Sequence, residues 1–315
     1  MRVRGIRTLL FAAMLVFAVP VFCLAQGPRL AEVADSEARY ICPMHSDHFS
    51  EKPGKCTKCG MTLVETKGAI RDEFVINTSV DTGKLSPGRK SRLKLQVVNP
   101  VTQVPVKQLY LQHEKPYHLF IVSSDLKQFL HIHPERQGDG SFEVDVELPK
   151  AGLYHVFSDV FPEGGFPQVI HQTLVTAGFK GDSSSLKARL EADAAPKVID
   201  GLKFTLQTAP MTIEAGRAAI LKLDIVNAAD GKPAADLQPY LGAWGHCISL
   251  DEEAADFVHS HPMSTVDQLT GGVPSINPAS LFFQSEFARP GIHRVWFQVQ
   301  RAGKVITASF DVVVN

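Results

Sequence analysis

A shift of 128 positions superimposes residues 85–134 on residues 213–262, with 14 of 50 positions identical and no gap; ordinary composition would give about 3 by chance. The shared residues run from Gly88/Gly216, Arg89/Arg217, Leu93/Leu221, Lys94/Lys222 and Leu95/Leu223 through Asn99/Asn227 and Pro105/Pro233 to His118/His246, Phe129/Phe257, His131/His259, His133/His261 and Pro134/Pro262. Both copies then close on related stretches, Gly152-Leu-Tyr-His-Val-Phe157 and Gly291-Ile-His-Arg-Val-Trp296. Duplication is the simple explanation. It demands a fold that about 110 residues can complete twice in tandem.

Within each copy, apolar residues come in short runs rich in β-branched and aromatic side chains, such as 93–98, 118–122, 142–146 and 169–175, separated by Pro, Gly, Asn and Asp. That is the pattern of strands and turns. A Gly-Arg turn opens an apolar strand in each copy, as at an immunoglobulin-like edge. The expected fold class is therefore mostly β: a small metal-knuckle module followed by two tandem immunoglobulin-like β-sandwich domains. Up-and-down barrels are the other arrangement the pattern allows. The expected divisions are a signal peptide at 1–25, a flexible lead-in at 26–36, the metal module at 37–66, a first sandwich at 70–180, a linker at 181–200 and a second sandwich at 201–315. Ser184 to about Ala194, before Pro196, reads as a helical connector.

Arg2, Arg4 and Arg7 precede an apolar run from Leu9 to Phe22, and small Ala25 follows. This is the order of a secretory signal. The run is short for a membrane span, and Pro20 interrupts it. The expected location is secreted or periplasmic, with no membrane span after cleavage. Exported chains ordinarily use cysteine in disulfides. Here Cys42, Cys56 and Cys59 crowd into 18 residues while Cys247 lies far away, a poor disulfide framework and a good metal framework. A net charge of −1 offers no basic surface for nucleic acid.

The crowded segment reads Tyr40-Ile-Cys42-Pro-Met44-His45, then Pro53-Gly-Lys-Cys56-Thr-Lys-Cys59-Gly60-Met61. Two residues between donors let a tight turn aim both at one ion, and Gly60 supplies the backbone freedom such a turn needs. Cys42, His45, Cys56 and Cys59 together suit tetrahedral Zn2+. Soft thiolates, with thioether sulfur from Met44 or Met61, suit Cu+ about equally. His48 competes with His45 for the fourth position. So small a module folds on its metal; the other use of its thiols is a Cys56–Cys59 disulfide.

Cys-Pro-Met-His followed by Pro-Gly-x-Cys-x-x-Cys-Gly-Met-x-Leu, over residues 38–65, resembles the bacterial heavy-metal-binding domain. The resemblance implies metal roles for Cys42, His45, Cys56 and Cys59, with Met44 and Met61 as soft ligands. That module occurs on copper/silver efflux adaptors and copper-transporting P-type ATPases, so a metal efflux system is an implied partner. Ser46-Asp47-His48 departs from the proline and acidic residue common in the family. The sequence has neither the adaptors' helical hairpin nor the ATPases' transmembrane set.

Each repeat also carries a histidine and, thirteen residues on, His-x-His-Pro: His118, His131 and His133, then His246, His259 and His261. A hairpin accounts for the spacing. Strand 118–122 turns through 123–128 and returns as 129–133, and residues two apart share a face. Three imidazoles then converge at the mouth of one hairpin, as zinc and copper sites require. In the second copy the histidines share a face with Ile248, Leu250 and Phe257, while Cys247 points the other way as a buried core residue. Candidate partners for the rings are Asp125, His113, His155 and Asp159 in the first copy, and Glu253 and His293 in the second. A His-x-His pair before proline serves equally well to cap a turn.

No Gly-x-Ser-x-Gly or His-Glu-x-x-His motif is present, and no enzyme is expected. The expected function is a binding protein that buffers copper or zinc outside the cytoplasm or passes it to an efflux system. The alternative is a structural or interaction protein whose zinc knuckle is a folding staple.

Overall fold

The computed structural model describes residues 40–43, 48–57, 60, 62–65, 74–112, 114–163, 165–181, 187–241, 243–263 and 279–315. Among these the regular elements are all strands. β1 (Tyr40–Ile41), β2 (Phe49–Ser50) and β3 (Val64–Glu65) form a three-stranded sheet in the order β2-β1-β3. The first repeat supplies β4 (Val75–Val80), β5 (Lys90–Val98), β6 (Tyr117–Ser123), β7 (Phe129–Ile132), β8 (Glu135–Arg136), β9 (Phe142–Glu147), β10 (Leu153–Val160) and β11 (Gln168–Val175). The second supplies β12 (Lys197–Ile199), β13 (Leu202–Ala209), β14 (Ala218–Asn227), β15 (Leu237–Gln238), β16 (His246–Asp251), β17 (Val258–Ser260), β18 (Ser280–Glu286), β19 (Gly291–Arg301) and β20 (Lys304–Val314).

Duplication in sequence becomes duplication in topology. The first repeat packs a β4-β5-β9-β8 sheet on a β11-β10-β6-β7 sheet; the second packs β12-β13-β14-β18 on β15-β19-β16-β17, with β20 paired to β19. All strand pairings are antiparallel. This is the immunoglobulin-like sandwich twice over. Alternation along β5 turns Leu93, Leu95 and Val97 inward to meet Leu119, Ile121, Tyr154 and Val156. The matching core of the second repeat is built on Leu221, Leu223, Ile225, Cys247, Phe283 and Phe297. The two Gly-Arg turns are alike in detail. Gly88 and Gly216 sit at φ 63° and 70°, where a side chain is disfavoured, and their N–H groups donate to Leu148 and Phe287 carbonyls.

Every residue of β6, β10 and β16 is buried, on both faces. One face lies in its own sandwich. The other face carries Phe120, Val122 and Phe157 from the first repeat against Ile248, Leu250 and Trp296 from the second. Phe129 stacks on Trp296 at 4.8 Å between ring centroids, and Phe257 stacks on Phe157 at 4.7 Å. Each repeat thus sets an aromatic ring of its own hairpin against an aromatic ring of the other's sheet.

The helix expected over 184–194 is not formed in its described part, 187–194. Burial there alternates with period two, putting Ala188 and Leu190 into the junction between the repeats. Glu252 holds this strap, its carbonyl accepting from Ala188 N–H and its carboxylate from Leu190 N–H. An extended chain with both anchors on one face fits that groove, whereas a helix would turn them apart. The signal-peptide and lead-in expectations fall outside the described residues.

Trp296 is 3% exposed at the centre of this junction. Trp296→Ala is expected to cost about 3–5 kcal/mol and to separate the unfolding of the two repeats in denaturant titrations. A single transition with a loss under about 1 kcal/mol, as at an ordinary surface site, would contradict the junction's role.

Candidate metal centre

Hairpin register brings the first triad together. β6 and β7 pair Phe120 with His131 and Leu119 with Ile132, so one further step sets His118 across from His133. His118 Nδ1 lies 3.1 Å from His131 Nε2 and 3.2 Å from His133 Nε2. The nitrogens of a tetrahedral zinc site with bonds of about 2.0–2.1 Å stand about 3.3 Å apart, close to these two spacings. The outer nitrogens fix the tautomers. His118 Nε2–H donates to the Gln112 carbonyl at 2.8 Å, and His131 Nδ1–H donates to Gln298 Oε1 at 2.8 Å. In the neutral rings, His118 Nδ1 and His131 Nε2 therefore direct lone pairs at the same point.

The second triad repeats the construction. β16 and β17 pair Ile248 with His259 and Cys247 with Ser260. His246 Nε2–H donates to the Tyr240 carbonyl at 2.9 Å, and His246 Nδ1 lies 2.8 Å from His261 Nε2. His259 Nδ1–H donates to Asp159 Oδ2 at 2.9 Å. Within each triad the donor atoms lie within 4.8 Å of one another.

The triads are not at separate ends of separate domains. Histidine and partner both occupy the face that meets the other repeat. His131 and His246 rings are 5.5 Å apart, and His118 and His259 rings 5.7 Å. Burial pushes the His118 imidazole down to about 4 and His133 to about 3, and holds His131 and His246 well below the ordinary histidine range; neighbouring histidines add to each shift. These rings are neutral at pH 7, the form that ligates metal.

Of the partners expected from sequence, Asp159 alone among the described ones bonds a triad histidine, and it does so in the opposite repeat. Asp125 caps its own turn through Ser123 and Lys127, His155 pairs with His171, Glu253 pairs with Lys187, and His293 donates to the Arg289 carbonyl. His113 lies outside the described residues. Gln112, Tyr240 and Gln298 were missed. The first two act through main-chain carbonyls, which leave no side-chain signal, although they do share the 128-residue offset. Cys247 sits in the second core with its thiol pushed up to about 12 by burial, away from the histidines.

In the small module, Cys42 and Cys56 are buried together with Leu63, with partly buried Tyr40 packed against them. Gly60 turns at φ 75°, its N–H donating to the Cys56 carbonyl. Both ring nitrogens of His48 lie 3.4 Å from Thr57, beside Cys56. His45, Cys59, Met44 and Met61 fall outside the described residues. Gln112 links the module to the centre: buried, it donates from Nε2 to the Pro43 carbonyl at 2.6 Å while its own carbonyl holds His118.

The lowered histidine values set a pH dependence. Between the ordinary value near 6.5 and the folded value of about 4 for His118, the unfolded chain binds protons that the folded chain refuses. Stability contributed by the neutral ring is thus complete above pH about 6.5 and lost as pH falls through that window. Urea unfolding of chelator-stripped protein should show declining stability from pH about 6.5 toward about 4. A flat profile would place the rings in water.

Among solved structures, the chain is similar to the Escherichia coli adhesin FdeC (10% identity, 78% of this chain and 66% of that one, TM-score 0.22). It is also similar to Yersinia pseudotuberculosis InvD (12%, 76% and 57%, 0.24) and to invasin, a bacterial integrin-binding protein (14%, 76% and 39%, 0.20). The chain spans two thirds or less of each of these. No curated protein matches the chain. The heavy metal binding domain matches residues 39–66. The family described as "Domain of unknown function (DUF8832)" matches 71–177 and again 197–315, and it is to this family that the chain belongs.

Proposed function

We propose that the protein is an exported binding protein, not an enzyme, that holds transition-metal ions outside the cytoplasm, buffering copper or zinc or passing them to an efflux system. The observation that carries it is the tautomer pattern of the histidines. In each triad two rings have their outer nitrogens donated to fixed acceptors, Gln112 and Gln298 in one, Tyr240 and Asp159 in the other. Metal-ligating histidines are oriented in just this way, and the lone pairs left on their inner nitrogens point to where an ion would bind. Turn capping, the other use of His-x-His-Pro, would not require both repeats to aim three nitrogens inward.

Two classes of donor favour a handling role. The N-terminal module, matched by the heavy metal binding domain, would hold its ion through Cys42, Cys56 and Cys59 with His45, and Met44 and Met61 within reach in sequence. Thiolates prefer Cu+ or Zn2+, while the triads offer imidazole alone. Gln112 ties the module's Pro43 to the ring of His118, which supports a soft and a harder site working together. Export is supported by the charged and apolar order of residues 2–25; no helix among the described residues is long and apolar enough to cross a membrane.

Elemental analysis of the full chain, stripped and reloaded with Zn2+, is expected to give three ions per chain, one in the module and one in each triad. Replacing His118 and His246 by alanine together should leave one. A single inert ion in the unaltered protein, insensitive to that double substitution, would instead mark the module as a folding staple and the triads as structural.

A further inference from the structure

We propose that the six histidines form one two-ion centre, shared by both repeats, that takes imidazole-preferring divalent ions and fills in an order set by Asp159. It rests on the triads being metal sites, as proposed above.

Three observations lead there. First, the triads adjoin: three ring pairs span them, His131–His246 at 5.5 Å, His118–His259 at 5.7 Å and His131–His259 at 5.9 Å. The donor atoms nonetheless gather as two groups of three, each within 4.8 Å, which calls for two neighbouring ions and not one. Second, the orienting groups are exchanged. Asp159 on β10 pairs in register with His118 of its own repeat but takes the N–H of His259 from the other. Gln298 on β19 pairs in register with His246 but takes the N–H of His131. Asp159 and Gln298 occupy equivalent positions, each two residues beyond the stretches ending in Phe157 and Trp296. Neither triad is complete until the other repeat has docked.

Third, the exchange is unequal. A carboxylate accepting an imidazole N–H makes the far nitrogen a stronger ligand than an amide oxygen does, and such partners are worth about 10–100-fold in metal affinity. Asp159 is buried, its side chain 8% exposed, and its second oxygen lies 3.4 Å from Gln112 Nε2. The Gln298 amide is held in turn, its Nε2 donating to Thr307 Oγ1 at 3.2 Å. The triad of His246, His259 and His261 therefore fills first. Repulsion between two close dications widens the gap for the second ion. Donors that are all imidazole suit Zn2+, Co2+ or Cu2+ and distinguish this centre from the thiolate module. Asp159 and Gln298 are positioning residues; they act through the rings they orient.

Co2+ added to the chelator-stripped full chain tests this, because thiolate charge-transfer bands report the module separately from imidazole sites and adjacent Co2+ ions couple magnetically. Two imidazole-type ions are expected, binding about 10–100-fold apart, with spin coupling that arrives only with the second. Asp159→Asn should close most of that gap by weakening the first ion, and Gln298→Glu should close it by strengthening the second, so loss of folding in one variant leaves the other decisive. Two ions of equal affinity with isolated spins, or a gap untouched by either variant, would overturn the shared centre while leaving metal binding intact. No imidazole-type uptake at all would remove both proposals together.

Discussion

Two sheets that each already have a sandwich core behind them bury their second faces against one another, and most else in the molecule follows from that contact. Phe120, Phe157 and Trp296, with Phe129 and Phe257 crossing over, form an aromatic junction between the repeats. Burying aromatic and aliphatic side chains of this size is worth about 1.5–3 kcal/mol each, enough to offset the loss of free movement between two small domains. The strap through Ala188 and Leu190 seals the same groove.

At one end of the junction the apolar side chains give way to histidines, and this position governs their chemistry. A ring removed from water resists protonation, as the depressed values of His118, His131, His133 and His246 record. A neutral ring that donates from one nitrogen must present a lone pair from the other. Because the two repeats meet face to face, the acceptors that fix these tautomers come partly from across the contact, Gln298 for His131 and Asp159 for His259. Packing and ligand orientation are therefore one property here. Gln112 extends it to the N-terminal module by holding Pro43 and His118 at once.

Much of this was legible in the residues. The 128-residue offset announced two copies of one fold, and β-branched runs between turns announced strands. The spacing of His118 from His131 and His133 predicted the hairpin, whose observed strands are Tyr117–Ser123 and Phe129–Ile132. Cys247 turned inward as alternation required. In the first copy alternation could not tell the two faces of β6 apart, since both are apolar; the structure supplies the reason, a sandwich core on one side and the second repeat on the other. The stretch before Pro196 misled because alanine and leucine favour helix in isolation, whereas its neighbours demanded an extended strap.

By itself the sequence determined what is local or periodic: the duplicated sandwiches and the hairpins that gather each triad. Those depend on residues a few positions apart or on the alternation of a strand, and both are written directly along the chain. Only the tertiary structure decided that the two triads adjoin and that their partners are exchanged. Asp159 and His259 are 100 residues apart, and His131 and Gln298 are 167 apart. Their meeting depends on how one completed sheet docks on another, a matter of surface shape that no spacing in the chain encodes.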